Sequence, residues 1–94
     1  MLILSFEARG NDLIINWIIF NNFDGANLEN ANFKNTILWN ASFASANLTN
    51  ADLSGADLSS ANLSGANLTN ANLSGAVLDG AILTCENHPI CLNE

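Results

Sequence analysis

Three residues near the end of the chain, Cys85, His88 and Cys91, have the types and the even spacing that could hold a metal ion. Cys-x2-His-x2-Cys supplies two thiols and an imidazole, but a structural zinc site usually draws on four protein ligands and only three good ones are present. Free thiols are therefore the first expectation, a disulfide across the tail the second and a metal the third. His88 precedes Pro89 in a polar tail, the usual setting of a solvated loop residue. The remaining ionisable candidates, Asp24, Glu29, Asp52, Asp57 and Asp79, are dispersed along the chain and read as solvated surface. There is no Ser, His and acid arrangement, no Gly-rich phosphate cradle and no close carboxylate pair suited to acid and base roles. No catalytic, cofactor-binding or metal-binding residue is assigned, no cofactor is implied, and the chain is not expected to be an enzyme.

The element that must carry these residues is a repeat. From Ala46 to Gly75 the sequence reads ANLTN, ADLSG, ADLSS, ANLSG, ANLTN and ANLSG without interruption. A helix rotates about 100° per residue, so Leu at five-residue steps would scatter around it. A straight strand would send successive Leu side chains to alternating faces. A chain that turns a corner in every quintet points each Leu at a common axis, and the Ala two residues earlier is small because it faces the same crowded interior. Asn and Gly at the last position of the quintet suit the corner, since both tolerate positive φ.

These quintets, a small residue, then Asn or Asp, then Leu or Phe, then two mostly polar residues, resemble the pentapeptide-repeat family. The resemblance covers Asn21 to Cys85, thirteen quintets counting the imperfect NNFDG. It implies an all-β fold, a right-handed quadrilateral parallel β-helix in which four quintets make one coil. The twenty-residue recurrence of ANLEN at Ala26, ANLTN at Ala46 and ANLTN at Ala66 supports the same coil size independently. Asn27, Asn47 and Asn67 are then expected in one column and Asn30, Asn50 and Asn70 in another, where turn chemistry explains them better than a binding code. Phe23 and Phe43 are expected to stack on one wall, with Phe33 entering from the opposite one. The interior small column runs from Ala26 to Ala81 with Thr36 as its one departure after the first quintet.

The domain reading is an irregular apolar cap or part-coil over residues 1–20, the repeat over 21–85 and a tail over 86–94. In the cap, LILSF and LIINWIIF flank a cluster of turn formers, and a covered end is needed because a bare one invites further chains to stack. Ile90 and Leu92 could fold back over the other end. Extending the phase backward places Trp17, Ile19, Ile37 and Trp39 in an apolar patch on one wall, either covered by Leu2 to Phe6 or open for docking or self-association.

Composition narrows the partners. With 94 residues, a net charge of −7 and only Arg9 and Lys34 as basic side chains, the chain lacks the basic footprint that nucleic acid or an anionic membrane requires. The absence of a signal-peptide pattern makes a cytoplasmic setting the expectation, and the Asn-Leu-Ser/Thr sequons are read as by-products of the repeat. The functional expectation is a small non-catalytic scaffold for an unidentified protein partner, with a homodimer as one form of assembly. The alternative, implied by the resemblance, is a DNA-mimicking regulator of DNA gyrase of the quinolone-resistance type. A tower of just over three coils is only roughly 15 Å tall and imitates about five base pairs, which counts against the mimic. Ice binding rests on Thr49 and Thr69 alone, in a column headed by Glu29.

Overall fold

The computed structural model describes residues 22–92. Within them every complete quintet closes a corner, the amide of each small residue donating to the carbonyl three residues earlier, as from Ala51 to Leu48 at 3.0 Å. The last residue of the quintet takes positive φ at Gly25, Asn30, Asn35, Asn40, Ser45 and Asn50, and at every fifth residue thereafter to Gly80. That conformation favours Gly and Asn, which explains why those types dominate the position. The second residue closes the other half of the corner. Wherever it is Asn or Asp, its Oδ1 accepts the amide two residues on, as at Asn47 to Thr49 (3.1 Å) and Asp52 to Ser54 (3.0 Å). Turn chemistry thus accounts for both Asn columns.

Successive coils pair in parallel at twenty-residue intervals, through Asn27, Asn47 and Asn67 on one wall and Asn32, Asp52 and Asn72 on the next. Around each bridge Leu donates to the coil above and the bridged residue above donates back, as in Leu28 N to Asn47 O at 2.8 Å and Asn47 N to Ala26 O at 2.9 Å. A third bond leaves the corner, Asn30 N to Thr49 O at 2.9 Å. Two residues of every five are spent on the corner, so pairing is confined to single bridges and no longer strand forms among the described residues.

The axis is filled as the period requires. Phe23 and every central Leu or Phe from Leu28 to Leu68 are fully or almost fully buried, each contributing about 1.5–3 kcal/mol by removal from water. Phe23 and Phe43 stack with centroids 4.9 Å apart and planes 11° apart. Phe33 meets both edge-on at 5.7 and 5.9 Å, coming from across the coil as expected. The Ala column is buried from Ala31 to Ala71, and Thr36 sits in it with its hydroxyl donating to the Lys34 carbonyl at 3.4 Å. Leu73, Leu78 and Leu83 are only half-buried because no further coil lies above them.

The last quintet is one residue short. Its successor bridges at Asn67 to Glu86, nineteen residues apart instead of twenty, and the corner after Thr84 is missing. The lost residue moves Cys85 from a corner phase into the interior small column, above Ala66, where it is fully buried. The tail then folds over the end. Asn87 Nδ2 donates to Asn67 Oδ1 at 3.2 Å, Leu92 N donates to Leu83 O at 2.7 Å, and Ile90 packs on the core while the Leu92 side chain stays exposed. This brings the Cα atoms of Cys85 and Cys91 to 5.1 Å, within bridging range, and the two form a disulfide. The first expectation, free thiols, is corrected. Spacing along the chain did not reveal that the shortened corner turns Cys85 inward beneath the folded tail.

Candidate interaction surface

Of the four residues assigned to an apolar patch, Trp17 and Ile19 lie outside the described residues, as does the irregular cap over residues 1–20. Ile37 and Trp39 share one quintet, Ile37 at the bridged second position and Trp39 at the corner. Ile37 pairs with Asp57, which pairs in turn with Val77, so the column runs Ile37, Asp57, Val77. Trp39 leans along the wall toward the next coil, and its Nε1 donates to Asp57 Oδ2 at 2.6 Å. The indole is nonetheless 41% exposed. Ile37 is half-buried beside it.

Asp57 is fully engaged. Its Oδ1 accepts the Ser59 amide at 3.1 Å and the Ser59 hydroxyl at 2.5 Å, while Oδ2 takes the indole. The Ser59 hydroxyl first, and then the Trp39 N–H, hold its pKa below the ordinary value of 3.8, since both stabilise the carboxylate. Asp52 on the adjoining wall is lowered as well, chiefly by the Ser54 hydroxyl, then by the Ser54 amide, with a smaller contribution from the Lys34 charge. Asp24 accepts the Ser42 hydroxyl and the Ala44 amide at 3.0 Å. Asp24, Asp52 and Asp57 therefore lie at outward positions but are bonded to the corners around them.

Two features escaped the sequence reading. The Trp39–Asp57 bond joins residues eighteen apart, a diagonal step between coils that shows only once the coil is closed at twenty. Ile82, 50% exposed, stands with Val77 in the last coil at second positions where Asn is usual, making a further apolar spot. The break in the Asn pattern was the available signal. No group of three or more His, Cys, Asp or Glu among the described residues is placed to hold a metal ion. The disulfide also takes both thiols of the Cys-x2-His-x2-Cys run.

The pentapeptide repeats profile matches eight copies over residues 22–59 and 56–85. Comparison with curated proteins finds no match. Among solved structures, the chain is similar to a pentapeptide repeat protein from the Arabidopsis thaliana thylakoid lumen, at 31% identity and a TM-score of 0.67, with 94% of this chain and 70% of that one covered. It is also similar to a pentapeptide repeat protein from the cyanobacterium Cyanothece, at 32% identity and a TM-score of 0.42 over 87% of this chain and 63% of that one. HetL, a pentapeptide repeat protein involved in heterocyst differentiation regulation in the cyanobacterium Nostoc, gives 27% identity and a TM-score of 0.31 over 82% of this chain and 43% of that one. Corner, inward Leu and twenty-residue coil agree with the profile match, and the chain belongs to the pentapeptide repeat family.

Proposed function

We propose that this chain is a non-catalytic scaffold, built as a right-handed quadrilateral parallel β-helix, that binds a partner protein through the wall bearing Trp39. The observation that carries the reading is the state of that residue. Its ring is held in one orientation by Asp57 while much of its face remains in water, beside a half-buried Ile37 on a backbone bonded to the next coil. A pre-oriented Trp has little side-chain freedom left to lose on binding, which is what favours aromatic anchors at interfaces. A second copy of the chain is one such partner.

The test compares wild type with Trp39→Ser at matched melting temperature, by light scattering and by affinity capture from the host. A complex that the variant loses supports the reading. Trp39 is the sole tryptophan in a Trp17→Phe background. A protein that stays monomeric at high concentration, captures nothing the variant does not, and has Trp39 freely quenched by iodide would refute it.

The gyrase-mimic alternative is less well supported. Asp24, Glu29, Asp52, Asp57, Asp79 and Glu86 are shared among all four walls, whereas a duplex carries one charge per about 1.7 Å of axis. An absence of supercoiling inhibition at micromolar protein would end it. The cytoplasmic setting expected from the N-terminus competes with the Cys85–Cys91 disulfide, which favours an oxidising compartment. The similar Arabidopsis chain is a protein of the thylakoid lumen, and we place this one in a comparable disulfide-permitting setting.

A further inference from the structure

We propose that the Cys85–Cys91 disulfide is a site of thiol–disulfide exchange with a dithiol reductant, and that its reduction unlatches residues 86–92 from the end of the stack. The position of Cys85 is the first reason. It continues the column of Ala26, Ala46 and Ala66, where the fold requires only a small side chain, so packing alone does not explain a sulfur. The second reason is the size of the loop. The bridge joins residues six apart, and closing so short a loop restrains the unfolded chain far less than a long-range bridge would. Its effect is therefore local, and what it holds locally is the tail.

The other ties on the tail to the coils are individually weak hydrogen bonds. Glu86 N donates to Ala66 O at 2.9 Å, Leu68 N to Glu86 O at 3.0 Å, Asn87 Nδ2 to Asn67 Oδ1 at 3.2 Å and Leu92 N to Leu83 O at 2.7 Å. Ile90 N donates to His88 Nδ1 at 3.2 Å, which leaves the His88 Nε2 proton to bond Ala71 O at 3.1 Å. Without the covalent link these contacts can fray independently of the coils beneath, which keep three bonds per quintet.

The two sulfurs are unequal. Cys91 is half-buried and Cys85 is fully buried, so an incoming thiolate reaches Cys91 Sγ. As the new S–S bond forms there, the electron pair of the old bond passes to Cys85 Sγ, which takes up a proton. The reductant's second thiol, as a thiolate, then attacks the reductant sulfur of the mixed disulfide and releases Cys91, which takes up the second proton. Two electrons and two protons pass to the cysteine pair, and the reductant leaves as a disulfide. A leaving thiolate inside an apolar column is disfavoured, so exchange awaits momentary fraying of the tail and reports how firmly it is latched.

The experiment treats the native protein with dithiothreitol, traps thiols with iodoacetamide for mass analysis, and follows amide hydrogen exchange. Expected are two alkylated cysteines without global unfolding, and exchange at Glu86, Cys91 and Leu92 faster by about ten-fold or more while Leu48 and Leu53 are unchanged. Cys85→Ala should show the same fast tail with no reductant and no response to it, and Cys91→Ser serves as an independent second variant. Reoxidation of the wild type should restore slow exchange. The proposal is overturned if alkylation appears only as the whole chain unfolds, if reduction leaves exchange at the tail unaltered, or if both variants lose the entire fold.

Discussion

Gly55 and Gly75 stand one above the other at the same corner, with φ of +69° and +70°, and replacing each by Ala separates two costs. An L-residue in this region is disfavoured by about 1–2 kcal/mol, offset by about 0.4–1 kcal/mol because Ala also restricts the unfolded chain. Net destabilisation from the backbone is then about 0.5–1.5 kcal/mol at either site. At Gly75 nothing is added, because a Cβ there would meet only the Gly55 nitrogen at 3.9 Å. At Gly55 the Cβ would stand 2.1 Å from Asn35 Oδ1 and 3.2 Å from its Cγ, so the side chain must move. Asn35 is exposed, and its carboxamide has no hydrogen bond among the described residues, so a move to another staggered rotamer costs about 0.5 kcal/mol or less. The backbone term wins. Gly75→Ala should lower the melting temperature by about 2–12 °C, Gly55→Ala by slightly more, at about 4–8 °C per kcal/mol for a domain of this size. Gly55→Asn decides between the two costs: it presents the same Cβ to Asn35 but tolerates positive φ, so it should retain most of the stability. Thermal and urea unfolding of the three variants provide the measurement. Equal losses in Gly55→Ala and Gly55→Asn, with Gly75→Ala unaffected, would show that the neighbour and not the backbone sets the cost, and the reasoning would fail.

Ala56→Leu should cost about 1–3 kcal/mol or prevent folding, because Ala56 is fully buried mid-stack between Thr36 and Ala76; an unchanged melting temperature would remove the Ala column from the interior. Asp52 and Asp57 have folded pKa values below the ordinary 3.8, so the stability they contribute is present above that value and is lost as pH falls through the depressed folded values. Melting temperature should therefore decline from about pH 3.9 downward, and less steeply in an Asp52→Asn, Asp57→Asn variant, which keeps the corner acceptors without the titration. Parallel curves for the two proteins would contradict this assignment.

Much of the molecule follows from the quintet alone. A period of five that is neither helical nor strand-like leaves a cornered chain, and the recurrence of near-identical quintets at twenty residues sets the columns. From these follow the inward Leu and Phe, the Phe23 and Phe43 stack, the buried Ala column and the positive φ at the corners, because each is a local conformation repeated. What the sequence alone did not determine lies where the repetition breaks. Trp39 finds Asp57 diagonally across two successive coils of one wall, a contact that depends on how far an indole reaches from one coil to the next. One missing residue before Cys85 shifts the phase, and only the hydrogen bonds available at the open end of the stack decide whether the chain absorbs that shift before or after the cysteine. It absorbs it before, at the corner after Thr84, so that Glu86 still pairs with Asn67 and Cys85 turns inward to meet Cys91. A repeat writes its own geometry into every copy, but a defect is resolved by the neighbours it meets in space.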